Sequence, residues 1–236
     1  MNKKKIPRFN FPVFNQELTI RLNHTQKIFQ ELSERITEAV EDLISNTPES
    51  LVEIAKHGWF VHYETNINLP QELSRMIRDN HLIEFNDKLE SHYHENFDYI
   101  IEELIKRHPH RSSIFREISS SYKTGMYNIM IPTLLTQSDG ICYDLTNKKL
   151  FQQRNNKPAF LENFTIEKGS LLELYIQPLT TEIPVYAGTK SQSNYPCNIN
   201  RHLILHGMDY EYGSKTNSLK SLSLTKYISD LLYTEL

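Results

Sequence analysis

The residues best suited to chemistry lie in one short segment, residues 200–207, with the sequence NRHLILHG. Arg201 and His202 precede an apolar run, and His206 follows it. A histidine can take up and return a proton near neutral pH, and a guanidinium can bind a phosphate and stabilise the charge that develops on it. This combination predicts a site that can act on a phosphodiester without a metal ion.

The spacing of these residues limits how they can meet. The pattern predicts a short helix over about residues 198–206 that ends at Gly207. His202 and His206 would lie on one face of that helix, but Arg201 and His206 are offset by ~140° around it. Either the long side chain of Arg201 folds around the helix towards His206, or Arg201 and His206 converge with the same two residues of a second subunit across a two-fold axis.

The arginine followed after four positions by His206 resembles the Arg-x4-to-x6-His signature of the HEPN superfamily. These are helical proteins, and many of them are metal-independent RNases. Residues 200–224, including Tyr212 and Gly213, also resemble the carboxyl-terminal block of HEPN-like proteins from bacterial defence and abortive-infection loci. The resemblance covers a small part of the chain.

The resemblance implies a role for each residue of the segment. Arg201 would bind and polarise the scissile phosphate, His206 would be the general acid or base, and His202 would orient the pair or the phosphate. The attacking group would be a ribose 2′-hydroxyl, so the substrate would be an RNA, with tRNA and mRNA both open as classes. HEPN nucleases are described as dimers whose paired motifs line one cleft, and the chemistry needs no metal and no cofactor.

Three further residues are candidates for supporting roles. Residues 136–141 are similar to a recurring segment of the same proteins, which would let Asp139 position a catalytic group; the alternative is an aspartate that closes a helix before Gly140. Asn200 directly precedes the arginine, and Tyr210 is close enough in sequence to stack on a flanking base.

A net charge of −3 argues against an extended basic surface that binds nucleic acid electrostatically. Any RNA contact must be local, and we expect it at Lys106, Arg107 and Arg111. A second basic group stands near the amino terminus, at Lys3, Lys4, Lys5 and Arg8. In the alternative interpretation, the first basic group belongs to a loop that ends a helix and the amino-terminal group is a solvated arm, and neither contacts RNA.

Other constellations are weaker. His202 and His206 could ligate zinc, but the glutamate of a His-Glu-x-x-His motif is missing. The pairs His92 with His94 and His108 with His110 could likewise bind a metal, but neighbouring histidines on exposed helices or loops are usually only polar surface. Cys142 and Cys197 are expected to be reduced. Nucleotide-binding loops and the serine-hydrolase elbow have no match in the sequence.

Apolar periodicity predicts an all-α protein. We expect a long amphipathic helix over residues 14–44 that breaks at Asn46, Thr47 and Pro48, and a second helix from Glu49 to Gly58. Further helices are expected over residues 70–89, 93–106 and 111–139, the last with bends at Gly125 and Pro132, and a final helix begins near Thr216 or Asn217 and packs beside the helix from Arg111.

These elements suggest an amino-terminal helical region, residues 1–88, and a HEPN-like helical core, residues 89–236. A partly irregular insertion is expected at about residues 141–197, with one helix near residues 167–176. No apolar run is long enough for a membrane span and no signal peptide is evident, so a soluble, cytoplasmic protein is expected.

The leading hypothesis is a homodimeric, metal-independent endoribonuclease that acts as an anti-phage defence effector or toxin, with an antitoxin or regulatory partner as a further expectation. The first alternative is a catalytically silent HEPN-like module that binds nucleotide or a protein partner. The second is an interaction protein in which Arg201 and His206 are structural.

Overall fold

A computed structural model describes residues 11–62, 64–154, 157–163, 166, 170–188 and 191–233. The α-helices in chain order are α1 Phe11–Lys56, α2 Leu69–Arg78, α3 Leu82–Glu95, α4 Phe97–Arg107, α5 Ser112–Lys123, α6 Tyr127–Thr146, α7 Leu171–Tyr175, α8 Gln177–Thr180, α9 Arg201–Leu205 and α10 Lys215–Tyr233. Short 3₁₀ turns occupy Pro109–Arg111, Ala159–Asn163, Pro184–Tyr186 and Gln192–Asn194. Within the described residues, strand structure is limited to β1 Gln153–Arg154 and β2 Lys157–Pro158, which confirms the all-α class.

The chain forms two compact units, one of residues up to Ser45 and one of Asn46–Leu236. The sequence predicted a division near residue 88 because the HEPN resemblance accounts only for residues beyond that point. That assignment of a HEPN-like core to residues 89–236 stays a prediction.

Helix α1 does not break where the sequence predicted. Pro48 lies inside it, and the helix continues to Lys56. Proline lacks the N–H for one helical hydrogen bond, but packing after the proline compensates for that loss. Thr47 and Ser50 are buried, and Gln71 donates a hydrogen bond of 2.6 Å to the Thr47 hydroxyl. The predicted helix break at residues 46–48 was therefore wrong.

The break between α5 and α6 falls at Gly125, where φ is +72°. The sequence predicted one bent helix over residues 111–139, and this was wrong because a left-handed residue ends a helix instead of bending it. Helix α6 then continues through Pro132 and past Gly140 to Thr146. The irregular segment, which the sequence placed from about residue 141, therefore begins at Asn147, itself left-handed with φ of +55°.

The other predicted helices are divided differently. The helix expected over residues 70–89 is two helices, α2 and α3, separated at Asn80 with φ of +59°. Helix α3 extends to Glu95, so the predicted start of the next helix at residue 93 falls inside it.

Helix α10 is the centre of the larger unit. It packs most extensively on α6, as predicted for the last helix and the second half of the segment from Arg111. Its residues 217–232 are all buried, so it is enclosed on every side and not only along one stripe. Serine and threonine at this contact have small side chains that can hydrogen-bond locally: the hydroxyls of Ser138 and Thr225 lie 2.9 Å apart.

The segment between α6 and α9 is irregular but contributes to the core. Phe160, Ile176, Leu179 and Ile183 are almost completely buried. The Tyr227 hydroxyl on α10 donates to the Tyr175 carbonyl. The helix predicted near residues 167–176 is present as α7, and a second short helix, α8, follows beyond the predicted range. Residues 167–169 of that prediction lie outside the described residues.

Candidate active site

Helix α9 is positioned by its first capping residue, Asn200, which is fully buried. The Asn200 Oδ1 accepts from the backbone N–H groups of His202, at 2.9 Å, and Leu203, at 3.1 Å. Its Nδ2 donates to the carbonyl of Ala187 and to Gln192 Oε1. Asn200 therefore joins the start of α9 to the preceding loop, and its role here is to hold the helix in place.

Arg201 occupies the first position of α9 and is partly exposed. Its Nη2 donates to the carbonyl of Phe151 at 3.2 Å, and its guanidinium carbon lies 5.0 Å from the centroid of the Phe151 ring. The backbone of Phe151 is in turn fixed by Asp139 on α6, whose Oδ1 accepts from the Phe151 N–H at 3.0 Å. The guanidinium is thus held in one orientation at the protein surface.

Arg201 lines two cavities. One, of about 300 Å³, is lined by Arg201 together with Asp139, Lys149 and Gln152. The other, of about 240 Å³, is lined by Arg201 and His202 with Gln153, Tyr186, Ala187 and Gly188. Phe151 contributes to both walls. A cationic side chain with further N–H donors is therefore presented to two openings, either of which offers room for an anionic group.

His202 and His206 lie together and are exposed. Their ring centroids are 4.4 Å apart in an edge-to-face arrangement, as the predicted i, i+4 spacing requires. Helix α9 ends as predicted, with His206 as its last cap and Gly207 left-handed at φ of +67°. Among the described residues, no hydrogen bond or ring contact joins Arg201 to His206, which agrees with their offset around the helix.

The turn after α9 places Tyr210 at the surface with 82% of the residue exposed, while the Tyr212 hydroxyl donates to the carbonyl of Asn128 at 3.0 Å. Leu205 and Met208 are also exposed. The surface beside the two histidines therefore carries apolar side chains as well as polar ones.

The three basic residues predicted to contact RNA differ in environment. Lys106 is exposed and lies 3.8 Å from Glu103. Arg107 is largely buried in ion pairs with Glu103, Glu64 and Asp230. Arg111 holds Asp144 through Nη2 at 2.7 Å and Gln137 through Nη1 at 2.7 Å, so most of its donors are used internally. The basic group near the amino terminus lies outside the described residues.

Arg107 belongs to a buried ion cluster that sequence reasoning did not single out. Lys226 is completely buried and its Nζ lies 2.7 Å from Asp230 Oδ1 and 2.8 Å from Glu64 Oε2. His62 Nδ1 is 3.3 Å from Asp230 Oδ2. Burial, with Lys226 nearby, lowers the pKa of His62 to about 3, whereas burial raises the pKa of Asp230 despite its two cationic neighbours. The i, i+4 spacing of Lys226 and Asp230 within a helix rich in leucine, serine and threonine was the signal in the sequence.

Ligand atoms of His62, Glu64 and Asp230 all lie within 4.8 Å of one another, as metal coordination would require. However, Lys226 and Arg107 bind oxygens of the same two carboxylates. Two cations already balance two anions there, and a divalent ion would have to displace them. The arrangement is therefore better described as an ion-pair network that joins α4, α10 and the connector before α2.

The remaining histidine pairs and cysteines have separate environments. His108 Nε2 lies 2.8 Å from the Ser229 hydroxyl, and His110 Nε2 lies 2.8 Å from Asp144 Oδ2. The His94 Nδ1 is 2.6 Å from the Tyr122 hydroxyl, whereas the His92 ring lies edge-to-face with the Tyr93 ring at a centroid distance of 5.0 Å. Cys142 and Cys197 are free and buried, and burial raises the pKa of the Cys142 thiol to about 12. Within the described part of the chain, these residues do not converge on a shared centre.

No family model, no curated protein and no solved structure matches this chain. None of the described helices combines the length and apolar character needed to cross a lipid bilayer.

Sequence reasoning identified Arg201, Asp139 and Asn200 but missed Phe151 and Lys149, which complete their surroundings. Lys149 and Phe151 follow α6 in the irregular segment, where no periodic pattern predicts direction. Arg201 and Phe151 are far apart in sequence, and only the fold brings them together.

Proposed function

We propose that the surface formed by Arg201, His202 and His206 is the active site of a metal-independent endoribonuclease. The observation that carries this proposal is the anchoring of Arg201. Its guanidinium is oriented by Phe151, it lines a cavity shared with Asp139 and Lys149, and an exposed histidine pair is adjacent in the same helix. A fixed cation next to exposed imidazoles supplies the two kinds of group that cleavage of RNA by its own 2′-hydroxyl requires.

In this proposal Arg201 binds the scissile phosphate and stabilises the additional charge of the phosphorane. His206 removes the proton of the 2′-hydroxyl or returns a proton to the leaving 5′-oxygen, and His202 orients it through the ring contact. The bond from phosphorus to the 5′-oxygen breaks as the bond to the 2′-oxygen forms. The products are a 2′,3′-cyclic phosphate and a 5′-hydroxyl.

Because no hydrogen bond or ring contact joins Arg201 to His206 in the described chain, the proposal includes a homodimer in which the two copies face each other. One copy would then supply the arginine and the other the histidine at each phosphate. Exposed Lys106 and Tyr210 are available to contact RNA beyond the scissile bond. A cytoplasmic defence effector or toxin controlled by an antitoxin or another regulator is the biological role we propose for such an enzyme.

A second function is favoured by the exposed apolar side chains of Leu205, Met208 and Tyr210. Exposed apolar surface around polar groups is common at protein-binding sites. On this proposal the chain is a helical module that binds a protein partner or a nucleotide at the Arg201 cavities and does not cleave RNA.

Incubation of the purified chain with end-labelled single-stranded RNA in EDTA separates the two functions. The nuclease should generate fragments with 2′,3′-cyclic phosphate and 5′-hydroxyl ends, and an RNA with a 2′-O-methyl group at the cleaved position should be resistant. Activity that disappears in EDTA and returns with Mg²⁺ would contradict the mechanism. Complete absence of cleavage, together with retention of a nucleotide or protein ligand that Arg201→Ala loses, would favour the binding module.

A further inference from the structure

Helix α1 carries a line of large, exposed apolar side chains. Phe29 is 67% exposed, Leu32 is 51% exposed and Ile36 is 57% exposed. These three residues are separated by steps of three and four, so they lie along one side of the helix. Large apolar side chains in such a continuous line usually mark a surface that another helix covers.

The spacing is that of a heptad repeat. In the sequence, the alternating steps of three and four extend in both directions from Phe29, Leu32 and Ile36 through Leu18, Leu22, Thr25, Ala39 and Leu43. An apolar residue at most of these positions over nearly four heptads is the pattern of a coiled-coil seam. The helical residues before Ser45 give a rod of about 50 Å, which is long enough for such a seam.

Charge along this region is strongly asymmetric in sequence. In the first part of α1, up to residue 28, two basic residues, Arg21 and Lys27, outnumber one acidic residue, Glu17. From residue 31 to 42 five acidic residues stand against one basic residue, Arg35, and the acidic residues are Glu31, Glu34, Glu38, Glu41 and Asp42. Two copies laid side by side in the same direction would bring like charges together, whereas two copies in opposite directions would bring the basic end of each beside the acidic end of the other.

We propose that α1 pairs with α1 of a second copy of this chain as an antiparallel coiled coil. At its centre, Phe29 of each chain packs against Leu32 of the other, which places the two-fold axis between these positions. This register places Lys27 of each helix opposite Glu34 of the other, and Arg21 between Glu38 and Glu41 of the other. The interface uses none of the residues of the Arg201 surface, and it does not depend on RNA cleavage.

The orientation can be measured with one spin label per chain. Ser45 is exposed near the end of the repeat, and its substitution Ser45→Cys provides a labelling site, while the native cysteines are buried. In the antiparallel register, Ser45 of one chain lies opposite residue 16 of the other. The two nitroxides should therefore be about 45 Å apart along the axis. A parallel in-register pair would bring them to within about 25 Å, and that result would overturn the proposal.

The role of Phe29, Leu32 and Ile36 in dimerisation is tested by measuring the mass of the full-length chain in solution as a function of its concentration. Leu32→Lys places a charge in the central layer twice, once from each copy, and should weaken dimerisation at least about 100-fold. Gln30→Lys introduces the same side chain on the outer side of the helix, next to Glu34, and should leave the dimer intact. A parent chain that is monomeric at ~100 μM, where a coiled coil of this length should be paired, would refute the interface. So would a dimer that Leu32→Lys does not weaken.

Discussion

Asp139 and Arg201 hold the same residue, Phe151, by its two backbone groups. The Asp139 carboxylate accepts from the Phe151 N–H at 3.0 Å, and the Arg201 guanidinium donates to the Phe151 carbonyl at 3.2 Å. Asp139 lies on α6 and Arg201 on α9, so this one residue connects the two helices at the wall of the cavity. The orientation of Arg201 therefore depends on Asp139 even though the two side chains serve different backbone groups.

The first prediction concerns this connection. Asp139→Ala removes the acceptor for the Phe151 N–H and should lower the rate of RNA cleavage about 10-fold, because Arg201 loses its fixed support. Asp139→Asn keeps an oxygen that can accept the same hydrogen bond, so its rate should stay within about threefold of the parent. Both rates are measured at saturating RNA. An Asn variant as inactive as the Ala variant would assign Asp139 to the proton-transfer chemistry and contradict a positioning role.

The second prediction concerns the three residues of α9 and its cap. Arg201→Ala and His206→Ala should each reduce cleavage ~100- to 10,000-fold, because each removes charge stabilisation or proton transfer from the reaction. His202→Ala should be milder, since this residue is proposed only to orient the others. The Arg201 and His206 changes should also abolish any growth inhibition on expression.

The control for this prediction is thermal stability, because Arg201 and His206 are not part of the buried core. Melting temperatures of the variants should match that of Arg116→Ala, which removes an exposed arginine on α5. If Arg201→Ala or His206→Ala melts far below this control, or cleaves RNA as fast as the parent, the residue is structural.

Much of the helical fold could be predicted from apolar periodicity, because buried residues recur every three or four positions in α4, α5 and α6. The end of α9 was predictable from Gly207, since a left-handed terminal residue favours glycine. The helix break predicted at Pro48 was wrong because packing of Thr47 and Ser50 outweighs the local preference of proline against helix. Local sequence does not encode that packing.

The candidate site was only partly predictable for a related reason. Residue types and spacing identified Arg201 and the histidine pair, and they placed the two histidines on one face. The orientation of Arg201 depends on Phe151, which is distant in sequence and lies in a segment without periodicity. The ion cluster was missed because it brings His62, Arg107 and Lys226 together from three separate parts of the chain.

The third prediction is a pH dependence of stability. Burial lowers the pKa of His62 to about 3 and that of His108 to about 4, from an ordinary value of 6.5. Between pH 6.5 and pH 4 these two histidines therefore bind more protons in the unfolded chain than in the folded chain, so they should make the free energy of unfolding decrease as the pH falls. The decrease should be on the order of 1 kcal/mol per pH unit for each histidine.

Urea unfolding at several pH values in this range measures the slope. His108→Gln removes one titrating group while its amide can still bond the Ser229 hydroxyl, so the slope should become shallower. A slope identical in the parent and in His108→Gln would show that His108 does not contribute. A stability that rises towards pH 4 would contradict neutral, buried histidines altogether, because their protonation favours the unfolded chain.

The last prediction concerns the buried ion cluster. Asp230→Ala should lower the free energy of unfolding by about 3–5 kcal/mol, because it leaves Lys226, which has no exposed surface, without its nearest carboxylate. The matched control is Glu72→Ala, which breaks an ion pair with Lys88 whose two side chains are 49% and 38% exposed, and it should cost less than about 1 kcal/mol. Urea unfolding at neutral pH compares the two variants with the parent. Equal losses for the two would mean that the buried network does not stabilise the junction of α4 and α10.

A double variant identifies the cause of a large loss. If Asp230→Ala destabilises the protein and the additional change Lys226→Met restores the stability, the uncompensated ammonium of Lys226 is the cause, because Lys226→Met removes that charge and keeps an apolar side chain of similar length.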